Sequence, residues 1–198
     1  MNDRLAETLA RIDALNREDP SADVGDDRSG ARELIYSRRL SDWVTRLAPE
    51  ASEALRIAAR GQHVQRWKIQ RDRYPMTRAG YLKWRETLKQ FHAETVGAVM
   101  REAGYDAAAV AHVRNIILKK NLKTDPEAQT IEDALCLVFL ETQFADLRMK
   151  TPEDKMIDVV RKTWAKMSPR AQRLALELPL PADDRDFLKR ALSTPSAG

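Results

Sequence analysis

The run from Asp125 to Phe144, DPEAQTIEDALCLVFLETQF, constrains this chain most. Asp125 followed by Pro126 is a helix start, a capping carboxylate before proline at the first helical position. From Ile131 onward apolar side chains fall on almost every side, the pattern of a helix buried all round. We therefore expect a nearly all-apolar helix over about 126–147 that carries Glu132, Asp133 and Glu141 inward. Burying an ionised carboxylate costs several kcal/mol unless it is paired or bound to metal. Asp133 and Glu141, two turns apart, are expected on one face. Two solutions are open: a cation from residues 60–85, or a metal ion held with His63 or His92.

Other elements are helical too. Leu5, Leu9, Ile12 and Leu15 form a stripe over 3–16. A second helix is expected over 31–47 and a third from near Pro49, with Gly61 as its break. Thr77 should cap a helix of some 25 residues whose inward face is Tyr81, Trp84, Leu88, Phe91, Thr95 and Val99. Gly104 ends it, and Asp106 caps a helix to about Lys120. Thr151-Pro152 and Ser168-Pro169 repeat the start signal of Asp125-Pro126, and a last helix is expected over 183–192. No alternating strand pattern is visible. The expected fold is all-α, a single-domain helical array over residues 1–192, with a polar loop at 18–30 and a frayed tail at 193–198.

The chain is 43% apolar and 32% charged, enough to build a core under a charged surface. No run reaches the roughly 18 apolar residues that a membrane span needs, and the N-terminus lacks a signal-peptide pattern, so no membrane partner and a cytoplasmic location are expected. The single cysteine, Cys136, lies in the apolar run ALCLVFL and reads as a core residue. His112 shares a face with Asn115 and Lys119 and reads as exposed. Asp19, Asp23, Asp26 and Asp27 lack calcium-loop spacing and read as a solvated linker. Phosphate-binding glycine loops, nucleophile elbows and HExxH are absent from the sequence.

Net charge is only +4, but its distribution is uneven. Residues 60–85 hold Arg60, Arg66, Lys68, Arg71, Arg73, Arg78, Lys83 and Arg85 against Asp72 alone, interleaved with His63, Trp67, Tyr74, Tyr81 and Trp84. Guanidinium groups bind phosphate bidentately and aromatic rings stack on bases, so the mixture suits a phosphorylated small molecule or nucleotide. It also suits cation–π and ion-pair packing within a fold. Arg78, Arg85 and His92 recur every seven residues on one stripe. An RNA-binding or scaffold module using segment 60–85 is the alternative, and nucleic acid is a further candidate partner.

The blocks LIYSRRLSDW, AARGQHVQRW, RYPMTRAGYLKWR, FHAE, LKKNLKTDPEAQ and IEDALCLVFLE together resemble the family designated domain of unknown function 4202, over about residues 3–190. They also resemble a degenerate HD-type phosphohydrolase helical core. Tyr36 stands where that pattern has its first His, and Gln62-His63 where it has His-Asp. His92 is supplied, Lys119 and Lys120 replace later histidines, and Asp133 is the late Asp. The resemblance implies an HD-like core in which His63, His92 and Asp133 hold a divalent metal ion, with His63 and Asp133 catalytic. Arg66, Arg78, Arg85 and Lys120 would then clamp phosphate. With the first His and the His-Asp pair gone, it implies equally a pocket that binds an anion without hydrolysing it.

Overall fold

The computed structural model describes residues 3–25, 28–120, 122 and 124–193. The chain is all-α apart from one small hairpin, and it divides into two compact units, residues 1–131 and 132–198. No helix among the described residues is long and apolar enough to cross a membrane.

The first unit runs α1 (Asp3–Arg17), β1 (Ala22–Gly25), β2 (Arg28–Ala31), α2 (Arg32–Leu47), α3 (Glu53–Gly61), α4 (Arg78–Glu102) and α5 (Ala107–Ile117), and it includes the first residues of α6 (Pro126–Thr142). Two short 3-10 turns, Arg66–Lys68 and Arg71–Arg73, link α3 to α4. Helix α3 packs against α1, α2, α4 and α5, and its Ile57, Ala58 and Ala59 are fully buried with Ile12, Leu40 and Val96. Gly61 permits the α3–α4 approach: a Cβ there would lie 2.2 Å from Val96 Cγ2.

The capping logic of the sequence is realised at Thr77, Asp106, Asp125 and Ser168, each accepting a backbone N–H in the first turn that follows. Four expectations are corrected. Helix α3 begins at Glu53, where Ser52 accepts from Leu55 N, and not near Pro49. Pro152 occupies the cap of α8 (Glu153–Trp164) itself, and with no side-chain acceptor Thr151 does not act as the cap. Part of the loop at 18–30 is the antiparallel pair β1–β2, Ala22 opposite Ala31 and Gly25 opposite Arg28. A four-residue strand is too short to display alternation. Asp19 is buried, not solvated, because its carboxylate accepts from Ser21 N and Glu33 N and so ties the hairpin region to the start of α2. Asp26 and Asp27 lie outside the described residues.

The inward face of α4 is also turned from the expected one. Trp84, Leu88 and Val99 are buried, with His92, Ala93, Val96 and Gly97, but Tyr81 is 42% exposed.

In the second unit the expected helix over 126–147 is two helices. Helix α6 stops at Thr142, and α7 (Phe144–Lys150) starts after a break at Gln143. The break lets Phe144 turn inward, where its fully buried ring meets Phe139 and Phe187. The all-round burial of α6 is real: Ile131, Glu132, Asp133 and Ala134 are buried in succession. Glu141 is exposed, because eight residues at about 100° each place it roughly 80° from Asp133. The unit continues through α8, α9 (Pro169–Leu176) and α10 (Ala182–Ser193), with α10 packed on α8. Ser193 thus ends a helix, and 194–198 lie outside the described residues. Cys136 is buried, as expected.

The buried acids of α6 have partners at 166–168, a segment the spacing arguments left aside. Glu132 Oε1 is 3.7 Å from Lys166 Nζ, and Asp133 accepts from both Ser168 N–H and Ser168 Oγ–H. Ser168 Oγ in turn accepts from Ala171 N at the start of α9. One hydroxyl therefore serves a helix cap and a buried carboxylate. Replacing Ser168 by Ala should cost about 2 kcal/mol, the sum of a lost cap and a weakened charge-assisted hydrogen bond. A urea midpoint unchanged from wild type would contradict this.

Candidate functional site

The distinctive chemistry of the first unit gathers where α3 ends. The close approach at Gly61 delivers Gln62 and His63 beside α4, and the chain then turns sharply at Gln65, whose φ is +50°. That left-handed turn is held by Asn16, whose side-chain oxygen accepts from Gln65 N at 3.1 Å. The 3-10 turn that follows presents Arg66.

Helix α2 contributes Glu33 and Tyr36, one turn apart. The Tyr36 ring stacks on His63 with centroids 4.1 Å apart and planes 6° apart, which fixes the imidazole orientation. Glu33 Oε2 lies 3.5 Å from His63 Nδ1, and Oε1 lies 3.9 Å from Arg66 Nε. Helix α4 contributes His92, its ring 5.8 Å from that of His63, and Trp84, whose ring lies 4.7 Å from the Arg66 guanidinium carbon. Trp84 Nε1–H donates to Ile69 O and anchors the ring.

The end of α5 supplies Lys119. Lys120 N–H donates to Asn115 O and Lys119 N–H to Ile116 O, the two bonds of a Schellman cap. The left-handed position of that cap is usually glycine, but Lys119 occupies it at φ +55°. Holding a lysine there costs about 1 kcal/mol. Among the described residues, Gln65 and Lys119 are the only non-glycine residues with positive φ, and both flank this cluster. Backbone strain of this kind concentrates at functional sites.

The electrostatics are polarised. Burial pushes Glu33 up to about 7, reinforced by Asp19 and only partly offset by Arg66 and Arg32. Burial holds His63 well below the usual histidine range, and the positive charges of Arg66, Arg85 and Lys119 push the same way. His92 is likewise depressed, by burial first and then by His63, Arg66 and Arg85, although a backbone hydrogen bond with Gln62 favours its protonated form. Two neutral imidazoles and a carboxyl poised near neutrality thus sit among three cations. Such opposed shifts mark candidate acid–base and anion sites.

Three buried polar atoms here have no hydrogen-bond partner: Glu33 Oε2, Gln62 Oε1 and His92 Nε2. Leaving a buried polar atom unsatisfied costs about 1–3 kcal/mol.

Of the residues singled out in the sequence, His63, Arg66 and His92 are brought together, and the exposed Arg85 acts on all three through its charge. Arg78 and Lys120 are exposed, and neither is named among the charges acting on His63 or His92, whereas Lys119 acts on His63. Asp133 belongs to the second unit, where Ser168 binds it. Among the described residues no three or more His, Cys, Asp or Glu side chains are grouped to hold a metal ion. Glu33 was not anticipated, since an acid in the first turn of a helix reads as dipole compensation. His112 is exposed as expected, 3.1 Å from Glu127. Trp84 is buried and cannot stack on a base, while Trp67 and Tyr74 are half-buried.

The model of the family described as domain of unknown function (DUF4202) matches residues 6–187. No curated protein and no solved structure matches the chain.

Proposed function

Since the chain belongs to the DUF4202 family, whose designation carries no activity, we propose from the site alone that this protein binds a phosphorylated small molecule or nucleotide through its phosphate group. The observation that carries the reading is the convergence of the positive charges of Arg66, Arg85 and Lys119 on His63, beside buried atoms of Glu33, Gln62 and His92 that have no hydrogen-bond partner. A phosphate supplies acceptor oxygens to the guanidinium and ammonium groups and, when protonated, a donor for Glu33 Oε2 or His92 Nε2. Burial of Glu33, Gln62 and His92 strengthens each contact made beside them.

Calorimetric titration with inorganic phosphate and with adenosine monophosphate tests this. Arg66→Met should weaken phosphate binding at least about tenfold, the equivalent of one charge-assisted hydrogen bond. Lys119→Gly separates strain from affinity. It should raise stability by about 1 kcal/mol by relieving the left-handed lysine, and it should weaken phosphate binding. If the wild-type protein binds neither probe, and Arg66→Met changes stability alone, the cluster is structural and the proposal fails.

A further inference from the structure

The site contains more than an anion clamp needs. An anion is held by arginine and lysine alone, yet here a stacked histidine backed by a carboxylate stands among the cations. The two histidines differ in access. His92 is 2% exposed, whereas the His63 side chain keeps 22% of its surface open. Of the two His63 nitrogens, Nδ1 faces Glu33 at 3.5 Å, and Nε2 makes no hydrogen bond among the described residues. The stacked Tyr36 ring stops the imidazole from turning.

We infer that His63 is a phosphoryl acceptor: Nε2 attacks the phosphorus of a bound phosphomonoester, Glu33 faces Nδ1, and Arg66, Arg85 and Lys119 neutralise the transferring group. This rests on the phosphate-binding reading above.

In the first step the Nε2 lone pair forms the N–P bond. The P–O bond to the alcohol or phenol breaks, and the leaving oxygen departs with its electron pair. The imidazole becomes cationic, and the ionised Glu33 carboxylate closes on its Nδ1–H to accept it, the triad logic of a carboxylate orienting a histidine. In the second step water attacks the phosphorus, the N–P bond returns its pair to Nε2, and phosphate leaves as its monobasic anion carrying both water protons. No metal ion enters either step. The cations act as the oxyanion clamp of the transferring group. A neutral His63 at working pH is what the nucleophile requires, and burial and the three cations favour that form.

The test incubates the full chain with p-nitrophenyl phosphate, and separately with acetyl phosphate, in excess EDTA. The expected result is a burst of about one p-nitrophenolate per chain and an acid-labile, alkali-stable phosphohistidine signal by phosphorus NMR. Alkaline digestion and mass spectrometry should place the label on His63, which decides the matter in the wild-type protein even where a variant fails to fold. His63→Asn should lose the burst and keep binding inorganic phosphate, and Lys120→Met should burst normally. Glu33 is a positioning residue, so at saturating donor Glu33→Gln should slow the burst at least tenfold beyond whatever change its phosphate affinity shows, a split that a purely structural role would not produce. A protein that binds phosphate but takes label from neither donor, or takes it elsewhere than His63, overturns this inference and leaves the binding proposal standing. Failure to bind phosphate overturns both.

Discussion

Replacing Glu33 by Gln is expected to raise stability by about 3 kcal/mol at pH 8 and to leave it almost unchanged at pH 4. Burial lifts this carboxyl from 4.5 to about 7 in the native state. Between those values the unfolded chain has shed a proton that the native protein keeps, so stability falls as pH rises through the window. Above 7 the cost is complete. A shift of about 2.5 units corresponds to about 3 kcal/mol. Glutamine keeps the shape and never ionises, so it escapes the loss. The depressed histidines act in the opposite direction, costing stability as pH falls below the usual histidine range, but they are present in both proteins and largely cancel in the difference. Urea denaturation of both proteins at the two pH values measures the effect. Equal stability at pH 8 would mean that burial does not disfavour the ionised form of Glu33.

The second large effect is steric. Gly61→Ala places a methyl group 2.2 Å from Val96 Cγ2, in a core where both residues are buried. Overpacking of this kind costs about 1–3 kcal/mol, and the upper end applies because both partners sit on packed helices. Val96→Ala removes the clashing atom and leaves the Val96 Cβ at 3.4 Å, ordinary contact. The double variant should therefore recover about 2 kcal/mol relative to the sum of the single changes. Additive losses would show that α3 and α4 separate freely at this point. The site should weaken together with the fold, because Gln62 and His63 follow directly on Gly61.

The helix starts were legible because a cap is a local event. Thr77, Asp106, Asp125 and Ser168 each announce one by a short polar side chain, and three neighbouring residues suffice to read it. What was hidden was set by packing at a distance. Tyr81 lies on the right helix but on its open side, since the stripe that α4 buries is chosen by α3 and α5 and not by its own spacing. The break at Gln143 is invisible in an apolar run, because only the packing of Phe144 against Phe187 demands it. In the site, His63, Arg66, Arg85 and His92 stood out by their chemistry. Glu33 did not, because an acid at a helix start has an ordinary explanation. That Lys119 acts on His63 was also hidden: it occupies a left-handed position at the end of its helix, which residue spacing does not encode.

The Arg66 guanidinium resting on the Trp84 indole also makes the site optically readable. A cation against an indole face perturbs its excited state, so an anion that draws Arg66 away changes the emission of Trp84. The chain has four tryptophans, and subtracting the spectrum of Trp84→Phe isolates that one fluorophore. Ligand screening can then proceed on unlabelled protein, with the chain's own fluorescence as the reporter.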